Sequence, residues 1–209
     1  MIQLKTIKNI IFDFGGVIYN IDHQLTKNAF RDLGIENFEQ LYSHQVQSGL
    51  FEELERGEIS ENQFRDSLRK VLSKNFSDQQ LDKAWNALLV GYKKERIDLL
   101  IQLKEQYQIF LLSNTNSIHS RQFFAELDEY VDFKSLFVDV WLSYEKKARK
   151  PERDFYQNLL EKHSLIPEET LFIDDYDVNI EAAKKLGMQT HYLLPNEDIV
   201  TLFNKWMND

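Results

Sequence analysis

The chain has no cysteine in its 209 residues. Disulfide frameworks, thiolate catalysis and thiolate metal sites are therefore excluded. A chain without cysteine suits a reducing compartment. An excess of positive charge is also missing: 25 Lys and Arg stand against 34 Asp and Glu, a formal net charge of -9. That balance argues against a nucleic-acid partner, which calls for a basic face, and against an anionic membrane surface. It leaves room for a small phosphorylated metabolite, because a local positive pocket can sit in an acidic protein. The N-terminal stretch MIQLKTIKNIIFDFGGVIYN is apolar but broken by Asp13. It is too short to span a bilayer and lacks a small-residue cleavage site, so a cytoplasmic protein is expected. Neither an internal repeat nor a low-complexity segment is present.

Hydrophobic residues make up 43% of the sequence, ordinary for a globular protein. The length suits one core domain with a modest insertion. Short apolar runs at Ile7 to Phe12, Ile109 to Ser113, Val138 to Ser143, Leu171 to Asp174 and His191 to Leu194 read as strands. Most are continuous rather than alternating, the mark of a parallel sheet covered on both faces. Helical spacing separates them: Ile97, Leu100 and Ile101; then Phe155, Leu159 and Leu160, with Pro151 expected in the first helical turn; then Ile180, Ala183 and Leu186, stopped by Gly187. The alternation predicts a doubly wound α/β fold.

One stretch breaks the rhythm. Between the first two strands lie roughly 75–95 residues of helical pattern, far more than a crossover needs. Ser60 with Gln63 has the spacing of a capping box, followed by Phe64, Leu68, Val71 and Leu72 on one face. Ser77 with Gln80 repeats it, followed by Leu81, Trp85, Leu88 and Leu89. An inserted helical subdomain is expected, spanning residues 19–95, with the core formed by 1–18 and 96–209.

In an open α/β sheet, ligands bind beyond the carboxyl ends of the strands. There the sequence places Asp13-Phe14-Gly15-Gly16, Ser113-Asn114-Thr115, Lys150-Pro151 and Asp174-Asp175. Singly, each has an ordinary reading. An Asp after a strand forms turns, Ser-Asn caps a helix, a lysine is solvated, and an Asp pair makes a loop and an N-cap. Together, in this order and each at a strand end, they describe a site.

The stretches IIFDFGGV, LLSNT, RKPERDFY and FIDDYDVNIEAAKKLGM resemble the four motifs of the haloacid dehalogenase superfamily. ERGEIS, LSNTN with His119 nearby, and RKPE resemble its sugar-phosphate phosphatase branch, which includes α-D-glucose-1-phosphate phosphatases. The resemblance implies a doubly wound core with an inserted helical cap, and a magnesium-dependent phosphatase. Asp13 would be the nucleophile, splitting one hard displacement into two easier ones. Mg²⁺ would be held by Asp13, the backbone carbonyl of Gly15 and Asp175, an all-oxygen set suited to that ion. Asp174 would bind the metal through water or hold Lys150. Lys150 would orient Asp13 and the phosphoryl oxygens. Ser113 and the backbone N–H groups of Asn114 and Gly15 would hydrogen-bond those oxygens.

The resemblance departs at one position. The commonest first motif carries a second Asp two residues after the nucleophile, which protonates the leaving oxygen and later activates water. Here that residue is Gly15. The leaving group could be acidic enough to depart unaided, as the anomeric oxygen of a sugar-1-phosphate would be. The proton could come from Asp22, His23 or His119. Or the protein could bind a phosphorylated ligand without efficient turnover. Asp22, at the entry to the cap, reads as a substrate contact or a plain N-cap; His119 reads as facing substrate or as a capping histidine. A 2-haloacid dehalogenase, which uses the same nucleophile without metal, is the rival reading; the acidic pair Asp174-Asp175 argues against it.

Overall fold

A computed structural model of the chain describes residues 4–35, 38 and 49–208. Residues 1–3 of the N-terminal stretch, and 36, 37 and 39–48 of the expected insertion, lie outside the described residues. The centre is a five-stranded parallel sheet in the order β5-β4-β1-β6-β7. Its strands are β1 (Asn9–Phe12), β4 (Gln108–Ser113), β5 (Asp139–Leu142), β6 (Thr170–Asp174) and β7 (Gln189–Tyr192). All five expected strands are present. The first begins two residues later than expected, and the last is displaced toward Gln189.

Alternate side chains leave the sheet on opposite faces. Ile10, Phe12, Ile109, Leu111, Leu171 and Ile173 enter one apolar cluster. Ile11, Phe110, Leu112 and Phe172 enter another. Both faces are thus dry, which is why β1 and β6 are buried at every position and read as unbroken apolar runs. The covering helices include α5 (Lys94–Leu103), α6 (Ser117–Asp128), α8 (Arg153–Lys162), α9 (Asp177–Lys184) and α10 (Ile199–Asn208), with a single-turn α7 (Ser143–Lys146) directly after β5.

Helices α1 (His23–Asp32), α2 (Leu50–Glu55), α3 (Glu61–Leu72) and α4 (Asp78–Trp85) fall between β1 and β4. Phe30, Phe51, Phe64, Leu68, Leu81 and Trp85 form their own cluster, joined by Ile118 of α6. Both capping boxes are formed. Arg65 bridges α3 to α4, its guanidinium 2.7 Å from Asp82 and 2.8 Å from Glu61.

Three expectations are corrected. Pro151 precedes the N-cap Glu152 and lies outside α8, because the chain there forms the turn that carries Lys150. Leu88 and Leu89 do not continue α4, which ends at Trp85; they belong to a 3-10 turn and a strand. Two strands were not expected at all: β2 (Tyr19–Ile21) and β3 (Leu89–Tyr92) pair antiparallel, Tyr19 opposite Tyr92 and Asn20 opposite Gly91. They form a short ribbon at the two ends of the helical segment, too short for its period to be read from sequence. Among the described residues, no helix is long and apolar enough to cross a membrane.

The capping box of α3 gives a test of local stability. Ser60 Oγ accepts from the Gln63 N–H at 3.3 Å, and Gln63 Oε1 accepts from the Ser60 N–H at 2.8 Å. Ser60→Ala should lower unfolding free energy by about 1 kcal/mol. Urea unfolding followed by circular dichroism reads this; an unchanged midpoint would mean that the cap carries no stability.

Candidate active site

Register brings the strand-end residues together. Phe12 lies opposite Ile173, so Asp13 and Asp174 leave the sheet side by side. The Asp13 N–H extends the ladder, donating to the Ile173 carbonyl at 2.9 Å. Lys150 arrives from the turn after β5, and its ammonium lies 2.5 Å from Asp13 Oδ1 and 2.7 Å from Asp174 Oδ2. Lys150 is 2% exposed and Asp174 fully buried. Burial alone would lower the lysine pKa; the Asp13 and Asp174 carboxylates outweigh it and hold the ammonium charged.

Each member is fixed from behind. The Asn114 side chain clamps the Lys150 backbone, donating to its carbonyl at 2.9 Å and accepting from its N–H at 2.8 Å. Asp174 accepts from the Tyr176 N–H at 2.8 Å and from Asn179 Nδ2 at 3.0 Å. Ser143 Oγ accepts from the Thr115 N–H and donates to its carbonyl, both at 2.9 Å. These bonds position charged groups that loops alone would leave loose.

Asp13, Asp174 and Asp175 each offer a carboxylate oxygen within 4.8 Å of the others. Burial pushes the Asp13 carboxyl up to about 7; Lys150 opposes this and Asp174 and Asp175 add to it. Burial and Asp174 also push Asp175 up. Three carboxylates around one ammonium leave a surplus of negative charge. An all-oxygen donor set with that surplus fits a hard divalent cation such as Mg²⁺. Asp174 is already engaged by Lys150, the Tyr176 N–H and Asn179. Gly16 permits the close approach of Asp175: its φ is +80°, and a Cβ there would lie 2.0 Å from Asp175 Oδ2.

An apolar cavity of about 130 Å³ adjoins this group. Gly15, Ser113, Asn114 and His119 line it, as expected, and so does His23. Asp22 does not. It is the N-cap of α1, its carboxylate accepting from the Gln24 N–H at 2.8 Å, because the chain turns into the helix there. His119 is buried and stacks on Trp85 with ring centres 5.0 Å apart. Its Nδ1–H donates to Asn86 Oδ1 at 2.6 Å, and burial, helped by His23, holds its pKa down at about 3. Held neutral, its ring has no acid proton to spare for a leaving oxygen.

Sequence reasoning missed Glu55, Phe51 and Trp85 as cavity walls, and Arg149 and Asn179 as supports. Asn179 had a local signal, five residues after Asp174 in the same motif. Glu55 opens ERGEIS, but nothing in the sequence says that this piece folds back over the strand ends.

The family model for haloacid dehalogenase-like hydrolases matches residues 7–187. The sequence is 33% identical over 192 residues to a D-ribitol-5-phosphate phosphatase of Bacteroides thetaiotaomicron, covering 88% of this chain and 90% of that one. A haloacid dehalogenase family enzyme of the same organism, crystallised with magnesium and inorganic phosphate, superposes with a TM-score of 0.86 at 37% identity, covering 94% of this chain and 99% of that one. A hydrolase of the same kind from Porphyromonas gingivalis superposes with a TM-score of 0.84 at 29% identity, over 98% and 99% of the two chains.

Gly16→Ala tests the carboxylate arrangement. It should displace Asp175 and shrink the rise in thermal unfolding midpoint that Mg²⁺ gives the wild type. Comparing midpoints with and without Mg²⁺ removes the general cost of the strained residue. An undiminished magnesium effect would mean that Asp175 plays no part in binding the ion.

Proposed function

From its membership of the haloacid dehalogenase-like hydrolases, we propose that this chain is a magnesium-dependent phosphatase acting on a small phosphate monoester, with Asp13 as the nucleophile. The carrying observation is the Lys150 ammonium held between Asp13 and Asp174. An Asp13 carboxylate oxygen attacks phosphorus, the ester P–O bond breaks, and the leaving oxygen takes a proton. Water then attacks the phosphorus of the aspartyl-phosphate, freeing Asp13 and inorganic phosphate. Lys150 favours the ionised form of Asp13 against the pull of burial and aims its carboxylate. Ser113 and the backbone N–H groups of Asn114 and Gly15 supply hydrogen bonds to the phosphoryl oxygens. Asp13, Asp175 and the Gly15 carbonyl would hold Mg²⁺, which supplies positive charge against the approaching phosphate.

Residues 19–95 act in this reading as a cap over a core of 1–18 and 96–209. Phe51, Trp85 and Glu55 of the helical segment line the cavity beside Ser113 and Asn114, which supports a lid that excludes water and selects the leaving group. The substrate class is a sugar or polyol phosphate. The name of the ribitol-phosphate phosphatase supports it, and so does the branch resemblance, which includes sugar-1-phosphates.

A screen of phosphate esters with Mg²⁺, sugar-1-phosphates and polyol phosphates included, tests the activity. Asp13→Asn should abolish turnover while leaving the circular dichroism spectrum intact. Chelator should stop the wild type and added Mg²⁺ restore it. Full activity in chelator, or more than a small residue of activity in Asp13→Asn, would contradict the reading.

A second comparison isolates Lys150. Lys150→Ala should cut kcat strongly, because two buried carboxylates lose their counter-charge. Lys146 is exposed and rests over the Trp141 ring at 4.7 Å, and Lys147 is exposed, so their Ala variants should stay near wild type. Equal effects at all three positions would mean that the site is misplaced.

A further inference from the structure

Gly15 leaves the leaving oxygen without its usual proton donor, so the cavity must be searched for another. His119 is neutral and gives its Nδ1–H to Asn86. Asp22 caps a helix and lies off the cavity. The Thr26 hydroxyl donates to the Trp85 carbonyl at 3.1 Å and accepts from the Leu88 N–H at 3.1 Å, so it is fully engaged. His23 lines the cavity too, but it is exposed on the first turn of α1, where no hydrogen bond among the described residues fixes its ring. Glu55 is different. It ends α2 and lines the same cavity as Gly15, Ser113 and Asn114.

Its placement is fixed by contacts to the turn that carries Lys150. Arg149 Nη2 lies 3.0 Å from Glu55 Oε2, and its Nη1 lies 3.7 Å from Glu52. Arg56 pairs with Glu152. Gly57 lies so close to the core that a Cβ there would be 2.2 Å from the Tyr144 carbonyl oxygen. The end of α2 is therefore pinned beside the phosphoryl site, with Glu55 held through one oxygen. Among the described residues, no hydrogen bond is made to the other oxygen, Oε1.

We propose that Glu55 is the catalytic residue that gives a proton to the leaving oxygen and takes one from water, replacing the carboxylate that Gly15 lacks. The proposal rests on the phosphatase reading. In the first step the P–O ester bond breaks and the proton of the Glu55 carboxyl passes to the departing alkoxide. In the second, the Glu55 carboxylate accepts a proton from the water that attacks the aspartyl-phosphate. Both proton states must be accessible. Burial raises the Glu55 carboxyl above its ordinary range even though Arg149 opposes it, which brings the acid form within reach.

The test is kcat/KM with Mg²⁺ for p-nitrophenyl phosphate, whose leaving oxygen needs no proton, and for the best alkyl or sugar phosphate found. Glu55→Gln should lose about 10²–10⁴-fold in kcat/KM on the alkyl ester and change little in kcat/KM on the aryl ester, while kcat on the aryl ester falls because hydrolysis of the aspartyl-phosphate has lost its base. The retained kcat/KM on the aryl ester also shows that the variant is folded. A uniform loss on both esters, or no loss on the alkyl ester, would overturn the proposal. Independently of any variant, the wild type should depend weakly on leaving-group pKa across an aryl and alkyl series. A steep wild-type dependence would mean unassisted departure and would overturn it too. A wild type that turns over no ester would sink the phosphatase reading itself, whereas normal wild-type turnover with an unaffected Glu55→Gln sinks only the role of Glu55.

Discussion

The site depends on one buried cation. Lys150 is 2% exposed and touches two carboxylates. Taking such charges out of water is costly, and removing one partner of a buried pair commonly costs about 3–5 kcal/mol. The surrounding structure answers that cost point by point. The β1–β6 register sets Asp13 beside Asp174. Asn114 reaches from the end of β4 to fix the Lys150 backbone. Asn179 and the Tyr176 N–H satisfy the lone pairs of Asp174. Four segments of chain thus meet at one lysine. Even so, one positive charge does not balance Asp13, Asp174 and Asp175; burial pushes the carboxyls of Asp13 and Asp175 up, and their acidic neighbours add to it. A divalent cation would complete that balance.

The second constraint is closure. The helical segment is tied to the sheet-bearing part by the β2–β3 ribbon and by Ile118, which packs into its apolar cluster. The Arg56–Glu152 pair and the Arg149 contacts with Glu52 and Glu55 hold α2 against the Lys150 turn. Surface ion pairs of this kind contribute little stability. Their value here is positional, because they bring aromatic walls and Glu55 over the strand ends. The cavity so formed is lined by apolar Phe14 and Phe123 together with polar Ser113 and Asn114.

Much of this was legible in the sequence, for physical reasons. Fully buried parallel strands read as continuous apolar runs, so all five were visible, and the clusters that follow them mark the ligand edge of such a sheet. Ser60 and Ser77 announced helix starts through side-chain chemistry local to four residues. What stayed hidden depends on tertiary approach. Tyr19–Ile21 is too short to show a strand period. Asp22 and His119 sit at helix starts, where a capping and a catalytic residue look alike until the fold places one outside the cavity and the other inside. Asn114 was read through its backbone N–H; its side chain serves Lys150, which is 36 residues away in sequence. Glu55 is farther still from any strand-end motif, and only the docking of α2 gives it a neighbourhood.

The central claim is that Asp13 receives the phosphoryl group. Mass spectrometry of enzyme acid-quenched during turnover of a phosphate ester with Mg²⁺ tests it most directly. The account predicts a gain of one phosphoryl mass on the peptide containing Asp13, lost in Asp13→Asn and chased away when substrate is exhausted. A turning-over enzyme with no covalent phosphoryl group, or with one on another residue, would contradict it.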